Sequence, residues 1–177
     1  GLSDYVIGVK QNGMAMLAGA ALVRAATGEV AEDQALGGVE MHATTTGLVE
    51  YLAEDDAHGI EICRDVIAGL NWNDQLPEAR RGHAAEPLLS PDDIIGVVPV
   101  DYRKPYDTRE VAARLVDGSV LRDFKPGYGA STVCLQASIY GRAVGLIGNN
   151  GPIDPDGATK ATQFFQLCDQ AGTPVIF

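Results

Sequence analysis

Residues 141–157 read GRAVGLIGNNGPIDPDG, and the way they fold decides the architecture. An apolar run, Arg142 to Ile147, stops on Gly148-Asn149-Asn150-Gly151, turns through Pro152 and Asp154, and leads into a helical pattern. β-type residues closed by Gly and Asn read as a strand ending in a turn. Asp154 is then placed to cap a helix whose first turn holds Pro155. An N-cap carboxylate accepts an otherwise unsatisfied N–H, and proline has no N–H to waste there. Ala158, Ala161, Phe165 and Cys168 recur at helical spacing as the expected buried stripe, until Gly172 and Pro174 stop the helix. Upstream, Thr132 to Ile139 is a second β-type run, separated from the first by Tyr140-Gly141, the spacing of a tight hairpin. Downstream, Thr173 to Phe177 is β-type again. A strand reached through a helix is expected to lie parallel to an earlier one, so the C-terminal third reads as strand, strand, helix, strand.

Earlier in the chain, Asp107-Thr108-Arg109-Glu110 has the reciprocal capping pattern of a helix start, ahead of the apolar face Val111, Ala112, Leu115 and Val116, with Gly118 as its end. Residues 71–93, NWNDQLPEARRGHAAEPLLSPDD, are polar, hold three prolines and show no sustained period, the signature of a linker. Before it, Tyr5 to Val9 favours a strand, and Met14 to Ala26 a helix stopped by Gly28. Glu54 to Leu70 favours an amphipathic helix with Ile60, Cys63, Ile67 and Leu70 on one face. Its acidic start, Glu54 to Asp56, suits the helix dipole.

The 177 residues suffice for one ordinary domain or two small ones, and 46% hydrophobic with 21% charged residues is a soluble globular composition. No apolar run approaches the roughly 18–20 residues of a membrane span, and no leader resembles a signal peptide. A net charge of −11 excludes a general nucleic-acid binder, because such a surface repels phosphate. Cys63, Cys134 and Cys168 are odd in number and far apart, which reads as reduced core residues, not a disulfide frame. A start on Gly1 and a close on a β-type PVIF read as part of a longer protein.

The candidate chemistry is sparse. His42 and His58 have no metal-ligand spacing, and His83 falls in the linker, so no metal site is expected. Ser131 and the cysteines lack a nucleophile-elbow context, which argues against nucleophilic catalysis. Gly127-Tyr128-Gly129 reads as a plain turn or a phosphate cradle. Arg80-Arg81 and Arg103-Lys104 are local basic pairs that suit solvent, a partner subunit or an anionic ligand alike. Gly148 to Gly151 offers amides and backbone N–H groups at a strand end, which is a turn or a ligand site.

Several runs in order resemble the β subunit, the carboxyltransferase, of biotin-dependent acyl-CoA carboxylases: LAGAALVRAATGE (17–29), LGGVEMH (36–42), DIIGVVPVDYRKPYDTREVAARLVDGS (93–119), GRAVGLIGNNG (141–151) and ATQFFQLCDQAGTPVIF (161–177). The resemblance implies an α/β fold of the ClpP/crotonase class, a crotonase-like ββα superhelix, with parts of two such domains. Residues 1–70 would be the C-terminal part of the N domain, 71–93 the linker, and 94–177 the N-terminal part of the C domain. It implies transfer of CO2 from carboxybiotin to an acyl-CoA through an enolate held by backbone N–H donors. The family's oxyanion loops would lie before Gly1 and after Phe177, so no catalytic residue is carried over. Gly37, Gly38 and His42, and Gly148, Asn149, Asn150 and Gly151, are the candidates for the vicinity of substrate or biotin.

The implied partners are an α subunit bearing biotin carboxylase and the biotin carrier, and further β subunits in a hexamer; no metal is implied. The implied location is the cytoplasm of a bacterium or the mitochondrial matrix of a eukaryote. Where many members continue NNG with an apolar, serine-containing stretch, this chain has PIDPDGATKAT (152–162). With GLSDYV, LAGAALVRAATGE and LGGVEMH, that looks more like the methylcrotonyl-CoA and geranyl-CoA branch than the propionyl-CoA branch, with geranyl-CoA favoured. The alternatives are a propionyl-CoA or acetyl-CoA carboxylase subunit, a biotin-dependent acyl-CoA decarboxylase subunit, and a catalytically incomplete assembly module.

Overall fold

A computed structural model describes residues 3–70, 84–101 and 103–177. Most of the expected linker, including Arg80, Arg81 and His83, lies outside the described residues. The chain divides into two compact units, Gly1–Ile67 and Ala68–Phe177.

In the first unit, β1 (Ile7–Val9) pairs in parallel with β2 (Tyr51–Ala53), Ile7 opposite Tyr51. The buried Glu50 carboxylate fixes the entry to β1 by accepting the Val6 N–H at 2.6 Å. Helix α1 (Ala20–Thr27) closes on Gly28 in the left-handed region at φ 75°, as expected, but begins six residues later than Met14. The reason is tertiary: Met14 bridges to Gly38, and the Ala15 N–H is spent on the Gly37 carbonyl at 2.8 Å. The start of α1 is capped from a distance, the Asp33 carboxylate accepting the Ala20 N–H at 2.7 Å. Helices α2 (Asp33–Gly37) and α3 (Val39–Met41) follow, and the chain then widens into a π-helix, His42–Thr46, that ends on left-handed Gly47. Val39, Ala43 and Val49 form the core of this unit, with Val6 and Leu52 packed against it.

Helix α4 (Asp56–Gly69) occupies the expected span, yet Val66 is its buried side chain, while Ile60, Ile67 and Cys63 are exposed. The apolar stripe expected from spacing is therefore uncovered among the described residues, and Cys63 is not a core residue.

In the second unit a turn of 3₁₀-helix, Pro91–Asp93, leads to α5 (Ile94–Val97), and α6 (Thr108–Ala112) starts at the expected cap. The Asp107 carboxylate accepts the Arg109 N–H at 3.0 Å. The returning half of the capping pattern is diverted, because the Glu110 carboxylate holds Arg114 at 2.9 Å. A four-stranded sheet follows in the order β3 (Arg122–Asp123), β4 (Thr132–Ile139), β5 (Arg142–Asn149), β6 (Val175–Ile176). The first three strands are antiparallel neighbours, and β6 returns parallel to β5 with Gly145 opposite Val175, as a helical crossover requires. Tyr140 and Gly141 join β4 to β5 with φ of 51° and 72°, the pair of positive values of a type I′ turn.

One face of the sheet buries Val133, Leu135 and Ala137 with Ala112, Val116 and Val144. On the other lies α7 (Pro155–Gln170), capped as expected by Asp154, whose carboxylate accepts the Gly157 N–H at 2.6 Å. Phe164 of α7 packs on Phe124 with ring centres 5.5 Å apart. The buried stripe of α7 is Gly157, Lys160, Phe164, Leu167 and Cys168; Ala158 and Phe165 face outward. The stripe is shifted by one residue because a lysine and a glycine, both polar or neutral by pattern, take positions against the sheet. Gly157 is required there, since a Cβ would overlap the Thr132 hydroxyl.

Candidate functional site

The candidates of the first unit converge on one segment, Gly13 to Met16. Val39 donates its N–H to the Gly13 carbonyl at 3.2 Å and Ala15 donates to Gly37 at 2.8 Å. A Cβ on Gly37 would lie 2.7 Å from the Ala15 carbonyl, so close backbone approach explains this glycine. His42 completes the staple. Its Nε2 meets the Ala15 carbonyl at 2.7 Å and its Nδ1 meets the Thr46 hydroxyl at 2.8 Å. A carbonyl only accepts, so Nε2 carries a proton toward Ala15. Both ring nitrogens are thus committed, and the residue is 8% exposed.

In the second unit, Gly148 to Gly151 close β5 without entering the left-handed region, so the turn does not draw on the tolerance of Asn and Gly for positive φ. Gly148 is needed because a Cβ would overlap the Thr108 side chain. Asn150 ties three elements together: its N–H donates to the Ser131 carbonyl at 2.8 Å, its Oδ1 accepts the Thr108 N–H at 2.8 Å, and its Nδ2 donates to Asp107 at 2.9 Å. Asn149 Nδ2 donates to the Gly151 carbonyl at 2.9 Å. Partial burial pushes the Asp107 carboxyl up, but the Arg109 N–H, the Asn150 amide and the Arg109 charge outweigh it and hold it below the usual carboxylate range.

Spacing in sequence did not reveal what stands behind this turn. Arg109 donates Nε to Asp123 Oδ2 at 2.6 Å and pairs with it through a second nitrogen. Lys160 is fully buried nearby, and among the described residues its Nζ makes no hydrogen bond; Asp123 Oδ1 and the Thr132 hydroxyl are likewise buried without a hydrogen-bond partner among them. Burial pushes the Lys160 ammonium down from the ordinary lysine range, opposed by the charge of Asp123. Only the burial of a charged residue inside an apolar stripe could have signalled this cluster, and burial is not written in spacing.

The remaining candidates are structural in place. Gly129, at φ 51°, lies so close to the first turn of α7 that a Cβ would come within 2.7 Å of the Gly157 nitrogen, and the Tyr128 hydroxyl donates to Asp156 at 2.9 Å. The Gly127–Gly129 loop therefore docks on a helix start already occupied by carboxylates, which is unsuited to phosphate. Arg103 pairs with Asp101 at 3.0 Å on the surface. Burial pushes the Cys134 thiol up to about 11, so it is protonated and inert at neutral pH. Among the described residues no cluster of His, Cys, Asp and Glu could hold a metal ion, and no helix is long and apolar enough to cross a membrane.

Comparison with known proteins places this geometry in context. The carboxyl transferase domain family matches residues 1–177. The chain is 44% identical over 178 residues to the probable biotin-dependent acyl-coenzyme A carboxylase beta2 subunit of Mycobacterium tuberculosis, covering 100% of this chain and 33% of that protein. It is 49% identical to the solved beta subunit of geranyl-CoA carboxylase from P. aeruginosa, with a TM-score of 0.53, covering 100% of this chain and 33% of that one. The transcarboxylase 12S structure, described as a hexamer assembly with hydrolysed methylmalonyl-coenzyme A bound, has a TM-score of 0.86 at 28% identity, covering 98% of this chain and 34% of that one. The chain spans about a third of the length of these relatives.

Proposed function

The chain belongs to the carboxyl transferase domain family, and we propose that its parent protein is the carboxyltransferase subunit of a biotin-dependent acyl-CoA carboxylase. The match of that family over the whole chain carries the reading. Residues 1–70 and 94–177 are taken as parts of two crotonase-like domains joined by 71–93; the division into two compact units supports this. The reaction moves a carboxyl group onto the carbon of an acyl-CoA acidified by its thioester. Biotin, carried on an α subunit, supplies the activated carboxyl group. The substrate class is a 3-methyl α,β-unsaturated acyl-CoA such as geranyl-CoA or 3-methylcrotonyl-CoA, supported by the 49% identity to a geranyl-CoA carboxylase subunit. The subunit works as a homohexamer in the bacterial cytoplasm or the mitochondrial matrix.

Within this chain, Gly37, Gly38 and His42, and Gly148 to Gly151, act near substrate or biotin by holding backbone in place, since the His42 ring and the Asn150 amide bond to neighbouring segments and the Asn149 amide to its own turn. The test supplies the full-length subunit and its biotin-bearing partner with ATP, labelled bicarbonate and a panel of acyl-CoAs. ATP-dependent labelling of the branched unsaturated thioesters is expected. Labelling of propionyl-CoA alone overturns the substrate class, and sodium-coupled CO2 release without ATP overturns carboxylation.

A further inference from the structure

The turn that closes β5 is held from two sides. Its backbone is tied to the residue before β4, where the Ser131 carbonyl accepts the Asn150 N–H at 2.8 Å. On the other side it leans on the start of α6. Asn150 Oδ1 accepts the Thr108 N–H at 2.8 Å, Asn150 Nδ2 donates to Asp107 at 2.9 Å, and the Thr108 hydroxyl donates to the Asn149 carbonyl at 3.3 Å. This side of the turn is therefore placed only as firmly as α6 itself.

Helix α6 has five residues, too few to be stable without tertiary ties. Ala112 anchors its end in the core, and Arg109 anchors its start. The Arg109 backbone N–H and Nη1 donate to the Asp107 carboxylate at 3.0 and 3.2 Å. Its Nε donates to Asp123 Oδ2 at 2.6 Å, and a second nitrogen pairs with the same oxygen. Asp123 belongs to β3, where it stands opposite the buried Leu135 of β4. One guanidinium thus spans two carboxylates, the one that receives the Asn150 amide and one fixed to the sheet. The Arg109 side chain is 29% exposed, so water screens these bonds only in part. Lysine has no such fork, and its single ammonium would serve one carboxylate at the expense of the other.

We propose that Arg109 is a positioning residue for carboxyl transfer, which keeps the Gly148 to Gly151 turn in place beside biotin by clamping Asp107 to Asp123; this rests on the placement of that turn near biotin proposed above. The test uses the full-length subunit and free biotin, with the holoenzyme's own carboxylated acyl-CoA product as donor, so that the two substrates are varied separately. The carboxyl group passes from the acyl carbon to a biotin ureido nitrogen, and the proton that the nitrogen loses is made good on the carbon. Arg109→Lys keeps the charge and loses the fork, and is expected to lower kcat/KM for biotin by about tenfold or more per folded subunit, with KM for the acyl-CoA changed by less than about twofold. Asp107→Asn, which keeps a capping oxygen, is expected to shift the same parameter in the same direction. Arg109→Lys combined with Asn150→Ala should be no worse than the worse single variant, because both act on one contact. A folded Arg109→Lys variant with unchanged kcat/KM for biotin overturns the proposal, as does an equal loss for both substrates or a double variant whose losses multiply. Should Arg109→Lys not fold, Asp107→Asn decides by the same criteria. Asn150→Ala separates the two readings: if it impairs biotin while Arg109→Lys does not, the turn lies near biotin and Arg109 does not position it. If Asn150→Ala leaves kcat/KM for biotin unchanged, the placement of the turn is overturned and the role of Arg109 with it.

Discussion

Lys160 sits with its amine sealed between α7 and the sheet, and among the described residues that amine makes no hydrogen bond. Replacing an unpaired buried charge with an apolar side chain of similar length is neutral or stabilising, so Lys160→Met is expected to raise stability by about 1–3 kcal/mol in urea denaturation. The pH dependence has a definite sign. The folded-state lysine titrates below its unfolded value, so the burial cost is fully present below the folded value and fades as pH rises to the ordinary lysine range. Wild type should therefore gain stability across that alkaline window, and Lys160→Met should not. Asn150 presents the opposite case. Asn150→Ala removes bonds to Thr108 and Asp107 and is expected to cost about 1–3 kcal/mol, against under about 1 kcal/mol for Asn149→Ala, whose amide reaches only within its own turn. If the pair also lines the biotin side, the double alanine variant of the full-length enzyme loses turnover beyond what its folded fraction explains. His42 and Asn150 were recognisable as residues; their distant partners were not, because Ala15 and Asp107 lie 27 and 43 residues away in the chain.

The hairpin Tyr140-Gly141 shows how far an element can be read from spacing and where it stops. Its position and length were legible, since two β-type runs separated by two residues leave little choice. The clasp that holds it was not: the Asp117 carboxylate accepts the N–H groups of Tyr140 at 3.0 Å and Gly141 at 2.7 Å. Partial burial pushes this carboxyl up, but the N–H groups of Gly141, Tyr140 and Ala85 and the Ser138 hydroxyl hold it below the usual range. A lowered carboxyl contributes stability above its unfolded value that is lost as pH falls through the folded one. Asp117→Asn should thus flatten the loss of stability on acidification, measured as melting temperature from neutral pH down to the acid limb. Tyr140 sits at φ 51°, where a bulky residue is strained and Asn or Gly is not. Tyr140→Asn is expected to stabilise by about 0.5–1 kcal/mol. The helix α7 was legible in its cap, its proline and its end, while its buried stripe was misplaced by one residue, because the period alone does not say which face of a helix meets the sheet.

At the scale of the molecule, the two units have separate cores. Phe164→Ala in the second unit, where the ring is fully buried against Phe124, is expected to cost about 3–5 kcal/mol. Hydrogen exchange should then quicken in β4 and β5 and leave Ile7–Val9 unchanged. Local order along the chain was determined by the sequence itself: the capped start of α7, the position of the hairpin turn and the glycine that closes α1 all follow from short-range chemistry that needs no distant partner. Family membership was also legible there, because long runs such as VPVDYRKPYDTREVAARLVDGS survive as patterns. Tertiary structure alone decided which face of each helix is buried, that Met14 joins a bridge and not a helix, that a lysine belongs in the core, and that Gly37 serves close backbone approach while Gly148 makes room for the Thr108 side chain. These outcomes depend on segments tens of residues apart meeting at atomic distance, and the physical information for that lies in the packing, not in the period of any one segment.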